Sequence, residues 1–144
     1  MYSVLILWAP DSAENRKIVD AVSRAFDELS VSPVTKLAAD ASVADLTASD
    51  ILLFGVEKSD NGEVPPDYGE CMRIFRGITL AGRTAGFFSM GAAHATAPLR
   101  RALKETEIAQ RDDDPLFVDS KTNDLSEWAR KLINGHREMK NGRA

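Results

Sequence analysis

The sequence predicts an α/β fold, a three-layer α/β/α sandwich built on one parallel, doubly wound sheet. Three observations carry that prediction. Val4-Leu5-Ile6-Leu7-Trp8-Ala9 is a continuous apolar run that breaks at Pro10-Asp11 and is followed at once by helical periodicity. Asp50-Ile51-Leu52-Leu53-Phe54-Gly55-Val56 is apolar on both alternating faces, the mark of a central strand covered on both sides. Strand and helix signals then alternate to the end of the chain, and such alternation implies right-handed crossovers and a parallel sheet.

The first strand feeds a helix in which Ile18, Val19, Val22, Ala25, Phe26 and Leu29 share one face, with Lys17, Asp20, Arg24, Asp27 and Glu28 opposite. Ser30 to Pro33 ends it, and Val34 to Ala38 is a half-polar strand suited to a sheet edge. Ala41 to Ala48 fits one or two helical turns capped by Ser42. After the strand over 50–56 comes a polar loop, Glu57 to Val64, with an Asn61-Gly62 turn, and Pro65-Pro66 opens a helix that reaches about Arg76. Arg83 to Ser89 is the fourth strand, Met90 to Ala93 a small-residue loop, and His94 to Thr106 the next helix. Asp112 to Pro115 marks a break and Leu116-Phe117-Val118 a short last strand. Asp124 caps a final helix with Leu125, Trp128, Ala129, Leu132 and Ile133 inward, and 135–144 is expected to fray.

The 144 residues suit one domain, 1–144, large enough to bury a core without disulfides or structural metal. With 18 basic and 22 acidic side chains the formal charge is −4, which argues against a nucleic-acid binder. A single cysteine, Cys71, rules out an internal disulfide, and two histidines, His94 and His136, give no zinc-ligand spacing. No apolar run approaches membrane-spanning length and no basic leader precedes the first strand, so no membrane partner and a cytoplasmic location are the expectation.

Three stretches together resemble the short-chain flavodoxins: Asp50-Ile-Leu-Leu-Phe-Gly55, then Val64-Pro-Pro-Asp-Tyr68, then Leu80-Ala-Gly-Arg-Thr-Ala-Gly-Phe-Phe-Ser-Met-Gly91. The resemblance covers nearly the whole chain and implies a five-stranded sheet of order 2-1-3-4-5. It also implies noncovalent binding of flavin mononucleotide (FMN) at the carboxyl-terminal edge of that sheet, and one-electron transfer to a protein partner. The phosphate of FMN would lie at Pro10, Asp11, Ser12, Ala13, Glu14 and Asn15. The ring would lie between Lys58, Ser59, Asp60, Asn61 and Gly62 on one side and Ser89, Met90, Gly91 and His94 on the other. The family's turn reads Ser/Thr-x-Thr-Gly-Asn-Thr; here only the Ser12 hydroxyl is kept, Pro10 offers no N–H, and Ala13 replaces the flexible glycine.

Several of these residues admit a plainer reading. Asp11 as N-cap with Glu14 three residues on reads as a capping box, and a carboxylate held on those amides would compete with a phosphate for them. Met90 reads more readily as a gap-filler and His94 as a helix-start polar residue than as ring contacts, Trp8 reads as core and Tyr68 as a surface aromatic. Cys71 reads as a packed thiol. The acids Glu57, Asp60, Glu63, Asp67 and Glu70 form either a solvated rim or a surface that steers a basic redox partner. No nucleophile–histidine pair or carboxylate dyad is recognisable, so the chain reads as an electron carrier or binding module rather than a stand-alone catalyst. The alternative function is a flavodoxin-like domain that has lost FMN and serves as an interaction or regulatory module.

Overall fold

A computed structural model describes residues 2–57, 63–91, 95–110, 116–118 and 125–142. Strand β1 (Val4–Ala9) lies between β2 (Val34–Leu37) and β3 (Ile51–Glu57), β4 (Thr84–Met90) follows β3, and every pairing is parallel. The fifth position is shared: β5 (Ala109–Gln110) pairs with Thr84 and Ala85, and β6 (Leu116–Val118) pairs with Phe88 to Met90. The order is therefore 2-1-3-4-5, as expected, with a fifth strand in two pieces where one short strand was expected.

Helices α1 (Ala13–Asp27) and α5 (Leu125–Lys140) cover one face of the sheet; α2 (Val43–Ala48), α3 (Gly69–Phe75) and α4 (Ala97–Leu103) cover the other. Strand alternation sorts the core between them. Val4, Ile6, Trp8, Leu53, Phe88 and Met90 pack toward α1 and α5, whereas Leu5, Leu7, Leu52, Phe54, Val56 and Phe87 pack toward α3 and α4. All six side chains of β1 are buried, which explains its unbroken apolar run. Ser42 caps α2 through a reciprocal box with Asp45, and Lys36 from the edge strand holds the same carboxylate at 2.9 Å. That pair, with the Ser42 amide, keeps the Asp45 carboxyl below its usual range.

Two expectations about side chains and ends need correction. The chain does not fray from Gly135: α5 runs to Lys140, with Gly135 and His136 buried. His136 anchors that stretch, its Nδ1 lying 2.8 Å from Thr84 Oγ1 and its ring edge-on to Tyr2 at 4.6 Å between centroids. Tyr68 is not a surface aromatic; it is fully buried, and its hydroxyl reaches the carbonyls of Leu7 and Gly55. Trp8 and Cys71 are buried as expected, and burial, with Glu70 nearby, pushes the Cys71 thiol up to about 12, so it stays protonated and inert. The cap assigned to Asp124 lies outside the described residues.

Candidate functional site

The carboxyl ends of β1, β3 and β4 open on the same edge of the sheet, and three segments meet there: Pro10–Asn15, Glu57 and Gly91. The start of α1 is organised by Ser12. Its backbone is extended, its hydroxyl accepts the Asn15 amide at 3.0 Å, and its carbonyl accepts the Arg16 amide at 2.9 Å. Ser12, not Asp11, is thus the N-cap. Asp11 turns outward to Arg16 in a two-point pair, Oδ1 to Nε at 2.8 Å and Oδ2 to Nη2 at 3.0 Å. The guanidinium holds the Asp11 carboxyl below its usual range and lies 5.8 Å from the centre of the Trp8 ring.

This arrangement removes the expected competition at the helix start. With Ser12 Oγ on the Asn15 amide, the Ala13 and Glu14 amides occupy the first turn of a 15-residue helix, where no intrahelical acceptor exists. Ala13 and Glu14 are exposed, and the charge of Asp11 is balanced by Arg16. The phosphate end of a flavin nucleotide therefore finds two amides, a hydroxyl and the positive end of a helix dipole, with Asp11 turned away to Arg16 and the exposed Glu14 the acid that stays in the first turn.

Asn15 does something the sequence pattern did not reveal. It is 2% exposed, and its side-chain nitrogen donates to Pro10 O at 3.0 Å and to Glu57 Oε2 at 3.1 Å. One amide group thereby ties the turn after β1 to the end of β3. Glu57, expected in the outer acidic rim, instead turns its carboxylate into the crevice; a Cβ built on Gly91 would lie 3.2 Å from its Oε1. Gly91 sits at φ +78°, a backbone that glycine adopts without strain.

The remaining expected site residues divide into two groups. Met90 is fully buried in the cluster that holds Trp8 and Val118, so it faces the core rather than a ring in the crevice. Ser89 is 1% exposed and its hydroxyl accepts the Ala95 amide at 3.2 Å, tying the end of β4 to the approach of α4. Lys58, Ser59, Asp60, Asn61, Gly62 and His94 lie outside the described residues. Among the described residues no group of three or more His, Cys, Asp or Glu side chains could hold a metal ion, and no helix is long and apolar enough to cross a membrane.

A parallel sheet of order 2-1-3-4-5 with a helix start and two further strand ends at one edge defines a doubly wound α/β domain, a class in which ligands bind beyond such strand ends. The fold is flavodoxin-like. A short-chain flavodoxin associated with a PDU bacterial microcompartment matches with a TM-score of 0.80 and 17% identity over 94% of this chain and 99% of its own. The flavodoxin of Streptococcus pneumoniae TIGR4 matches at 0.79 and 17% identity, over 92% and 99%. The Fusobacterium nucleatum flavodoxin bound to flavin mononucleotide matches at 0.71 and 12% identity, over 96% and 99%. No protein-family model matches the chain, and the search of curated proteins finds no match either.

Proposed function

We propose that this chain binds FMN noncovalently at the carboxyl-terminal edge of its sheet and passes electrons to a protein partner. The observation that carries the reading is the start of α1, where Ser12 rather than a carboxylate caps the helix and Arg16 balances Asp11. The Ser12 hydroxyl and the Ala13 and Glu14 amides would hold the phosphate, and Gly91 would let backbone approach the ring closely. Bound FMN supplies the redox chemistry; the chain supplies position and electrostatics. The exposed acids Glu63, Asp67 and Glu70 near this edge suit a basic partner, although Glu70 already pairs with Arg73 at 2.7 Å.

A second reading has one observation in its favour: the Glu57 carboxylate already lies inside the crevice. On that reading the fold serves as an interaction or regulatory module without flavin. The visible absorption spectrum, taken before and after adding FMN and desalting, separates the two. A retained, structured flavin band is the expected result. A colourless protein in both conditions rejects the electron-transfer reading in favour of the second.

A further inference from the structure

We propose that Glu57 is a latch across the flavin crevice, an affinity-setting residue that must leave its place before a flavin can seat; this rests on the flavin reading above. Strand β3 lies between β1 and β4, and Glu57 is its last residue, so the side chain starts from the middle of the three strand ends. From there its carboxylate spans the opening. Oε2 accepts from Asn15 on the β1 side, and Oε1 fills the space above Gly91 on the β4 side. A planar ring lying across these strand ends between Asn15 and Gly91 meets that carboxylate.

The latch is held but not locked in. Asn15 is 2% exposed and both protons of its amide are used, one on Pro10 O and one on Glu57, so the Asn15 end is rigid. Glu57 is half-buried and carries three flexible torsions, so the moving part is the carboxylate. Swinging it out costs a hydrogen bond to a charged acceptor and leaves one Asn15 proton to be satisfied by ligand or water. A ligand must supply that free energy from its own contacts, and its apparent affinity falls by the corresponding factor.

Fluorescence titration of FMN and of riboflavin, with wild type, Glu57→Thr and Glu57→Gln, tests this. Glu57→Thr removes the part of the side chain that reaches Asn15 and Gly91, and is expected to bind both flavins at least about tenfold more tightly than wild type. Glu57→Gln keeps the length and an oxygen for Asn15, and is expected to shift affinity less. Wild type that binds FMN, with Glu57→Thr no tighter, overturns the latch and leaves the flavin reading standing. No binding by any of the three folded proteins rejects the flavin reading and the latch together. Should Glu57→Thr fail to fold, ¹⁵N spectra of wild type decide: the Asn15 side-chain amide resonances are expected to move on FMN saturation, and resonances that stay in place overturn the latch.

Discussion

The phenol of Tyr68 lies 2.9 Å from the carbonyl oxygen of Gly55 and 3.1 Å from that of Leu7, so one hydroxyl at the start of α3 reaches two neighbouring strands of the sheet. Burial, reinforced by Cys71, pushes this phenol well above its ordinary range, so it remains a proton donor at any working pH. Tyr68→Phe keeps the ring packing and removes the donor. The expected cost is about 1–2 kcal/mol in urea denaturation, with the m-value unchanged. A loss below about 0.5 kcal/mol would mean that the hydroxyl makes no net contribution.

Gly55 is fixed by its neighbour rather than by its own backbone. A Cβ built there would lie 2.6 Å from Phe88 Cε2 and closer still to Cζ, and Phe88 is fully buried against Trp128. Gly55→Ala is expected to destabilise by about 1–3 kcal/mol through overpacking. Combined with Phe88→Leu, which vacates the ring position, the two losses should fall short of additive by at least about 1 kcal/mol. Additive losses would place the strain elsewhere.

His136 predicts a pH dependence with a definite sign. Burial holds its imidazole below the ordinary 6.5, and Lys140 adds to the lowering while Asp50 opposes it. Among the described residues Nε2 has no hydrogen-bond partner, so the charged ring, with N–H on both nitrogens, holds a buried Nε2 proton unsatisfied. Just below pH 6.5 the unfolded chain takes up a proton that the folded chain refuses, so stability falls as pH drops through that interval and is fully present above it. The slope is at most about 1.4 kcal/mol per pH unit. In His136→Asn, which keeps a polar atom toward Thr84, this slope should vanish between about pH 5 and 6.5. Parallel stability profiles for the two proteins would assign the dependence to another group.

The elements legible in the sequence were those whose signal is local. The strand over Ile51–Glu57 announces itself because Ile51 to Val56 are buried on both faces, and α1 because its inward residues repeat at helical spacing. What escaped depends on partners far along the chain. Asp11 and Ser12 both suit an N-cap, and the choice fell to Ser12 where Asp11 pairs outward with Arg16. The polar stretch after Ile133 looks frayed until Thr84, 52 residues away, meets His136. Glu57 reads as a loop acid because Asn15, its partner, is 42 residues distant. Fold logic therefore brings the ends of β1, β3 and β4 to one edge, whereas the carboxylate of Glu57 among them has no local signal.

That Asn15–Glu57 contact can be tested without any ligand by reversing its polarity. Asn15→Asp removes both donated hydrogen bonds and sets a second carboxylate beside Glu57 in a site where residue 15 is 2% exposed. The expected loss is at least about 2 kcal/mol, from two unmade hydrogen bonds and like charges brought together. Adding Glu57→Gln restores a donor and acceptor in the opposite sense and removes the repulsion, so the double variant should recover about 1 kcal/mol or more relative to Asn15→Asp alone. The Pro10 carbonyl stays unpaired in both variants, which is why recovery should be partial. A double variant no more stable than Asn15→Asp would show that the two side chains do not act as a pair, and the turn after β1 would have to be held by Ser12 alone.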